Sequence, residues 1–109
     1  MHELAITESV IDAVSLRVDD GRVTRVVLEI GKLSGVVPDA VRFCFDVCAA
    51  GTVLESAVLD IVEIAGQARC RTCQAELALT DCIALCTCGS ADLDVLSGQQ
   101  LTIKEVEVT

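Results

Sequence analysis

Apolar positions recur along this chain with two different periods. Between residues 3 and 18, Leu4, Ile11, Val14 and Val18 fall on one stripe, with Glu3, Glu8, Asp12 and Arg17 elsewhere, which predicts an amphipathic helix. Glu3 near its start suits the positive end of the helix dipole. Asp19-Asp20-Gly21 is a turn signal, and Arg22 to Ile30 is rich in β-branched residues, as strands are. Gly31 to Gly35 reads as a loop. Pro38 fits the first turn of a second helix, whose apolar face of Val41, Cys44, Phe45 and Cys48 ends near Gly51. Ala57 to Ile64 is a second strand, and after a cysteine-rich stretch Ser97-Gly98 turns the chain into a last one, Leu101 to Val108. The expected fold is α+β: a three-stranded sheet with two helices on one face, plus an inserted four-cysteine zinc-ribbon-like domain. Residues 1–65 and 98–109 would form the main α/β domain and residues 66–97 the insertion.

Composition sharpens this picture. A length of 109 residues is one domain with at most a small appendage. There is no Trp or Tyr, and Phe43 and Phe45 are the only aromatic residues, so the core must be aliphatic. A formal charge of −9, with eight basic residues spread among seventeen acidic ones, argues against nucleic acid as a partner. No run approaches the roughly 18 to 20 apolar residues that span a bilayer. Met1-His2-Glu3-Leu4 lacks the basic and apolar regions of a secretion signal, so the expected location is cytoplasmic, where thiols stay reduced.

The chemistry lies in the cysteines. Five of the seven fall between Cys70 and Cys88, and two close pairs, Cys70/Cys73 and Cys86/Cys88, are separated by Gln74 to Leu85. Such pairs bring four thiolates around one tetrahedral ion, and four protein ligands leave no open position, so the site is expected to be a structural zinc. Gly89, after the last cysteine, suits a backbone wrapped round a metal. The ligand set also admits iron. Cys70-x-x-Cys73 alone would suit a redox pair, but that reading leaves the second pair unused. Cys82 lies close enough to stand in for Cys86. Cys44 and Cys48, four apart on an apolar helix face, read as small core residues.

His2 is the only histidine. Its bulk should block removal of Met1, which leaves an α-amine one residue from an imidazole. With the intervening amide nitrogen, these close fused chelate rings on one ion, and the Glu3 amide can add a fourth nitrogen. Several nitrogens in a plane suit nickel(II) or copper(II) better than zinc.

The residues Met1-His2-Glu3-Leu4, Ile30-Gly31-Lys32-Leu33-Ser34-Gly35-Val36-Val37-Pro38-Asp39, Phe43-Cys44-Phe45, Gly51-Thr52 and Cys88-Gly89-Ser90 occur in that order. In them the chain strongly resembles the HypA/HybF family of hydrogenase nickel-incorporation metallochaperones, nearly end to end. The resemblance implies nickel bound by Met1, His2 and Glu3, and structural zinc held by Cys70, Cys73, Cys86 and Cys88. It also implies a maturation GTPase and the [NiFe]-hydrogenase large subunit as partners. Many family members carry Cys-Pro-x-Cys in the second pair, whereas Leu85 fills the first slot here and Cys86 is shifted by one. With no evident nucleophile–base pair and no Gly-rich phosphate loop, the residues read as a carrier rather than an enzyme. The competing reading is an acidic zinc-ribbon interaction module that transports no metal.

Overall fold

The structure is a computed structural model that describes residues 3–18, 20–80 and 85–109. Among the described residues the chain forms α1 (Glu3–Arg17), β1 (Val23–Gly31), α2 (Pro38–Ala49), β2 (Val58–Ile64), β3 (Gly66–Cys70), β4 (Glu76–Leu79), β5 (Leu93–Ser97) and β6 (Leu101–Val108). The strands make two three-stranded sheets, β2-β1-β6 and β4-β3-β5.

In the first sheet β1 is central, parallel to β2 and antiparallel to β6. The α2 helix crosses between the parallel pair, as such connections require. Val26, Leu28 and Ile30 alternate along β1 and point to one face, where they meet Val10, Ile11 and Val14 of α1 and Val41, Phe45 and Ala49 of α2. The expected arrangement of two helices over three strands is therefore what forms.

The stripe on α1 is not quite the expected one. Leu4 is 50% exposed, whereas Thr7 and Val10 are buried. Thr7 can be buried because its hydroxyl donates to the Glu3 carbonyl at 2.7 Å, so no polar atom is stranded. Pro38 does open α2, where its missing N–H costs nothing.

The second sheet is built from chain between β2 and β6, within the zinc-ribbon-like insertion, where the sequence pattern marked no individual strand. Its core is small: Leu33, Ala68 and Leu79 are buried, with Leu77 and Leu93 partly so. Leu33 comes from the turn after β1, and its N–H donates to Gly98 O at 2.7 Å. A Cβ on Gly31 would lie 2.0 Å from the same Gly98 carbonyl oxygen. The backbones touch where the two sheets join, and only glycine permits that approach.

Candidate metal centre

The two cysteine pairs sit on turns that the second sheet holds face to face. Cys70 ends β3, and the chain turns back with Gln74 N–H donating to Cys70 O at 2.8 Å. The second turn repeats this, with Gly89 N–H donating to Cys86 O at 2.8 Å. In each case the residue after the second cysteine adopts positive φ: 66° at Gln74 and 92° at Gly89. Gly89 fits that conformation cheaply, as expected, whereas Gln74 does so at some cost in strain. The absence of glycine at residue 74 hid from the sequence that the two turns are alike.

Polar groups lace the turns together. Thr72 Oγ1 and Ser90 Oγ are 2.9 Å apart, Arg71 N–H donates to Asp92 O at 3.0 Å, and the Arg71 guanidinium donates to Asp92 Oδ1 at 2.9 Å. None of these contacts was signalled by the cysteine spacing.

The result is a four-thiol cluster. The Sγ atoms of Cys70, Cys73, Cys86 and Cys88 all lie within 4.8 Å of one another. Cys70 to Cys88 is 3.7 Å and Cys73 to Cys86 is 3.5 Å. A disulfide is about 2.05 Å, whereas sulfurs at the corners of a tetrahedron with about 2.3 Å metal–sulfur bonds stand about 3.8 Å apart. The spacing thus fits one metal ion, and a soft four-sulfur set fits zinc. Cys70 and Cys86 are buried, at 0% and 4% exposure, while Cys73 and Cys88 are exposed, so the cluster has an inner and an outer edge.

Electrostatics divide the thiols the same way. The N–H of Cys73 points at Cys70 Sγ and, aided by that of Thr72, pulls its thiol down to about 6 against the cost of burial. Cys86 is lowered first by the N–H of Cys88. At Cys88 the N–H of Ser90 pulls downward, but the neighbouring thiols Cys70 and Cys86 outweigh it and push it up to about 11. Cys73 is likewise raised: the N–H of Ala75 lowers it, and Cys86 more than offsets this with burial and Cys70. Four thiolates this close repel one another, and a bound cation relieves that repulsion. Cys70, Cys73, Cys86 and Cys88 would hold such an ion, which would crosslink the two turns.

The other expected site residues fare differently. Met1 and His2 lie outside the described residues, as does Cys82, the alternative to Cys86. Glu3 opens α1, and its Oε2 accepts from Val37 N–H at 3.2 Å, tying the start of α1 to the loop before α2. Cys48 packs against the main core as expected, and its thiol is raised by burial, then by Glu8 and Cys44. Cys44 is half-buried beside it.

An α+β fold bearing a four-cysteine metal-binding cluster defines a class of small metal-handling protein. The family described as hydrogenase/urease nickel incorporation, metallochaperone, matches residues 1–108, and the chain belongs to that family, HypA. It is 54% identical over 108 residues to hydrogenase maturation factor HypA of Trichormus variabilis, covering 99% of this chain and 96% of the relative. The like-named protein of a Nostoc species is 55% identical with the same coverage. Its fold resembles the solution structure of the Ni metallochaperone HypA from Helicobacter pylori, with a TM-score of 0.68, 21% identity, and 99% and 97% of the two chains covered. No helix among the described residues is long and apolar enough to cross a membrane.

Proposed function

We propose that this chain binds nickel(II) as cargo at Met1, His2 and Glu3. It delivers the ion for maturation of the [NiFe]-hydrogenase large subunit, together with a maturation GTPase. The observation that carries the reading is the family match over residues 1–108 in a chain whose only imidazole is at residue 2. Residues 1–65 and 98–109 act as the nickel-binding unit, and residues 66–97 as a unit held by structural zinc on Cys70, Cys73, Cys86 and Cys88. The protein works in the cytoplasm, where reduced thiols keep that zinc.

The described residues support the chelate in two ways. Glu3 is the first residue of α1, so its backbone nitrogen lies at the helix start, one residue on from His2 in the sequence. The Glu3 carboxylate, engaged by Val37 N–H, anchors the first turn while the backbone nitrogen serves the ion. A terminal chelate is open to ligand exchange, as a carrier requires. Acid reverses binding, because protons compete with the metal for the imidazole nitrogen of His2.

The test is maturation in cells whose own family member has been deleted. Expression of this chain restores hydrogenase activity, and His2→Ala leaves it at the deleted level unless nickel is added in excess. Full activity from His2→Ala at ordinary nickel would favour the acidic zinc-ribbon interaction module instead.

A further inference from the structure

We propose that Cys44 and Cys48 form a second site, a helical dithiol that takes one atom of trivalent arsenic from an organic arsenical across its two sulfurs. The proposal is independent of the nickel and zinc chemistry. Both residues carry free thiols outside the four-cysteine cluster, and both are half-buried on α2. Four residues apart on a helix, they share one face, with Cβ atoms about 5 to 6 Å apart. A disulfide needs Cβ atoms about 3.5 to 4.5 Å apart and a single S–S bond of about 2.05 Å. The helix would have to distort to close one. An atom bonded to both sulfurs puts two bonds in that gap and spans it with the helix intact.

The surroundings select the kind of atom. Cys48 packs against the main core, and burial raises its thiol, with Glu8 of α1 and Cys44 pushing the same way. A thiol held protonated resists a borderline ion such as zinc or nickel, which must displace the proton. A soft monovalent ion such as copper(I), held by two thiolates, would leave a net negative charge beside Glu8 on a partly buried apolar face, which is unfavourable. An organoarsenic(III) oxide meets neither obstacle, because it consumes thiols together with their protons. The two S–H bonds and the As–O double bond break, two As–S bonds form, and the protons leave with the oxygen as one water. Nothing is oxidised or reduced, and the product is uncharged. The organic group on arsenic has apolar company: Val47, three residues on from Cys44, is 67% exposed, and Phe43, a turn before Val47, is 77% exposed.

The test is an anaerobic titration of the full-length, zinc-loaded protein with phenylarsine oxide, read by mass and by zinc content. The expected result is one arsenical per chain with zinc retained. Cleavage after Arg42 and Arg69 then places it on the fragment 43–69, whose only cysteines are Cys44 and Cys48. Cys44→Ser and Cys48→Ser each reduce the apparent affinity about 100-fold, because a single thiol loses the chelate. An adduct on the fragment that carries Cys73, Cys86 and Cys88, with zinc released, overturns the proposal. So does the absence of an adduct, or a single-serine variant that binds as tightly as the native chain. The fragment assignment uses the native chain alone, so it decides the matter even where a serine disturbs α2.

Discussion

Cys70→Ser should release the metal and unravel the second sheet while the first remains folded. Cys70 is the most enclosed of the four thiols and the one most readily held as thiolate at neutral pH, near about 6. Serine replaces that sulfur with a hydroxyl that stays protonated and binds zinc poorly. The consequence for structure follows from the size of the core beneath the cluster. Leu33, Ala68 and Leu79 are the buried residues of the apolar cluster beneath that sheet, far too few to offset the ordering of a segment of about thirty residues. Structural zinc contributes roughly 10 to 16 kcal/mol of apparent binding free energy in small domains, so its loss leaves nothing comparable. Zinc content falls from one equivalent toward none, and the amide resonances of residues 66–97 collapse while those of β1 and α2 keep their dispersion. A chelator does the same to the unaltered protein. Acid does it too, in the direction the thiols dictate: the metal holds above the titration of the lowered thiols and is lost as protons compete for the sulfurs below it. Retained dispersion across residues 66–97 in metal-free protein would show that the sheet does not depend on the cluster.

The second large effect belongs to the other sheet. Phe45→Ala should cost about 3 to 5 kcal/mol, a large part of the roughly 5 to 15 kcal/mol that a domain of this kind possesses. Composition makes this residue exceptional. The chain has two aromatic side chains, and Phe43, one turn-fraction away on α2, is 77% exposed. Phe45 is therefore the sole ring in a cluster of Val, Leu, Ile and Ala, packed among Val10, Ile11, Val26, Leu28, Val41 and Leu54. Truncation leaves a cavity that stiff β-branched neighbours cannot collapse to fill. Phe43→Ala, at the solvent face of the same helix, should change stability by less than about 0.5 kcal/mol. Urea unfolding of the zinc-loaded protein compares the two, and equal midpoints would place the core elsewhere.

Much of this architecture could be read from residue order. The elements of the first sheet declare themselves by period: β-branched runs over β1 and β2, a 3.6-residue face over α2, and Pro38 at its start. The α1 stripe was harder, because Thr7 counts as polar until its hydroxyl is known to bond the Glu3 carbonyl. The strands β3, β4 and β5 escaped notice for a different reason. Each is four or five residues long, and in Gly66-Gln67-Ala68-Arg69-Cys70 the alternating inward positions carry glycine, alanine and cysteine, which no hydropathy pattern registers strongly. Leu33 looked like a loop residue, yet it fills the core of the second sheet from the far side of the Gly31–Gly98 contact. The four cysteines that cluster could be picked out from spacing, with Cys82 as the alternative to Cys86, because ligand geometry is local. The lacing by Arg71, Thr72, Ser90 and Asp92 could not, since it depends on how two distant turns face each other.

The measurement that bears most directly on the carrier function is a nickel(II) titration of untagged, zinc-loaded protein beside His2→Ala. The account predicts tight binding that saturates at a single nickel per chain in the native protein and disappears in the variant, with zinc retained in both. Equal nickel binding by the two proteins would contradict it, for the ion would then sit on the cysteines or at adventitious groups and the amino terminus would carry nothing.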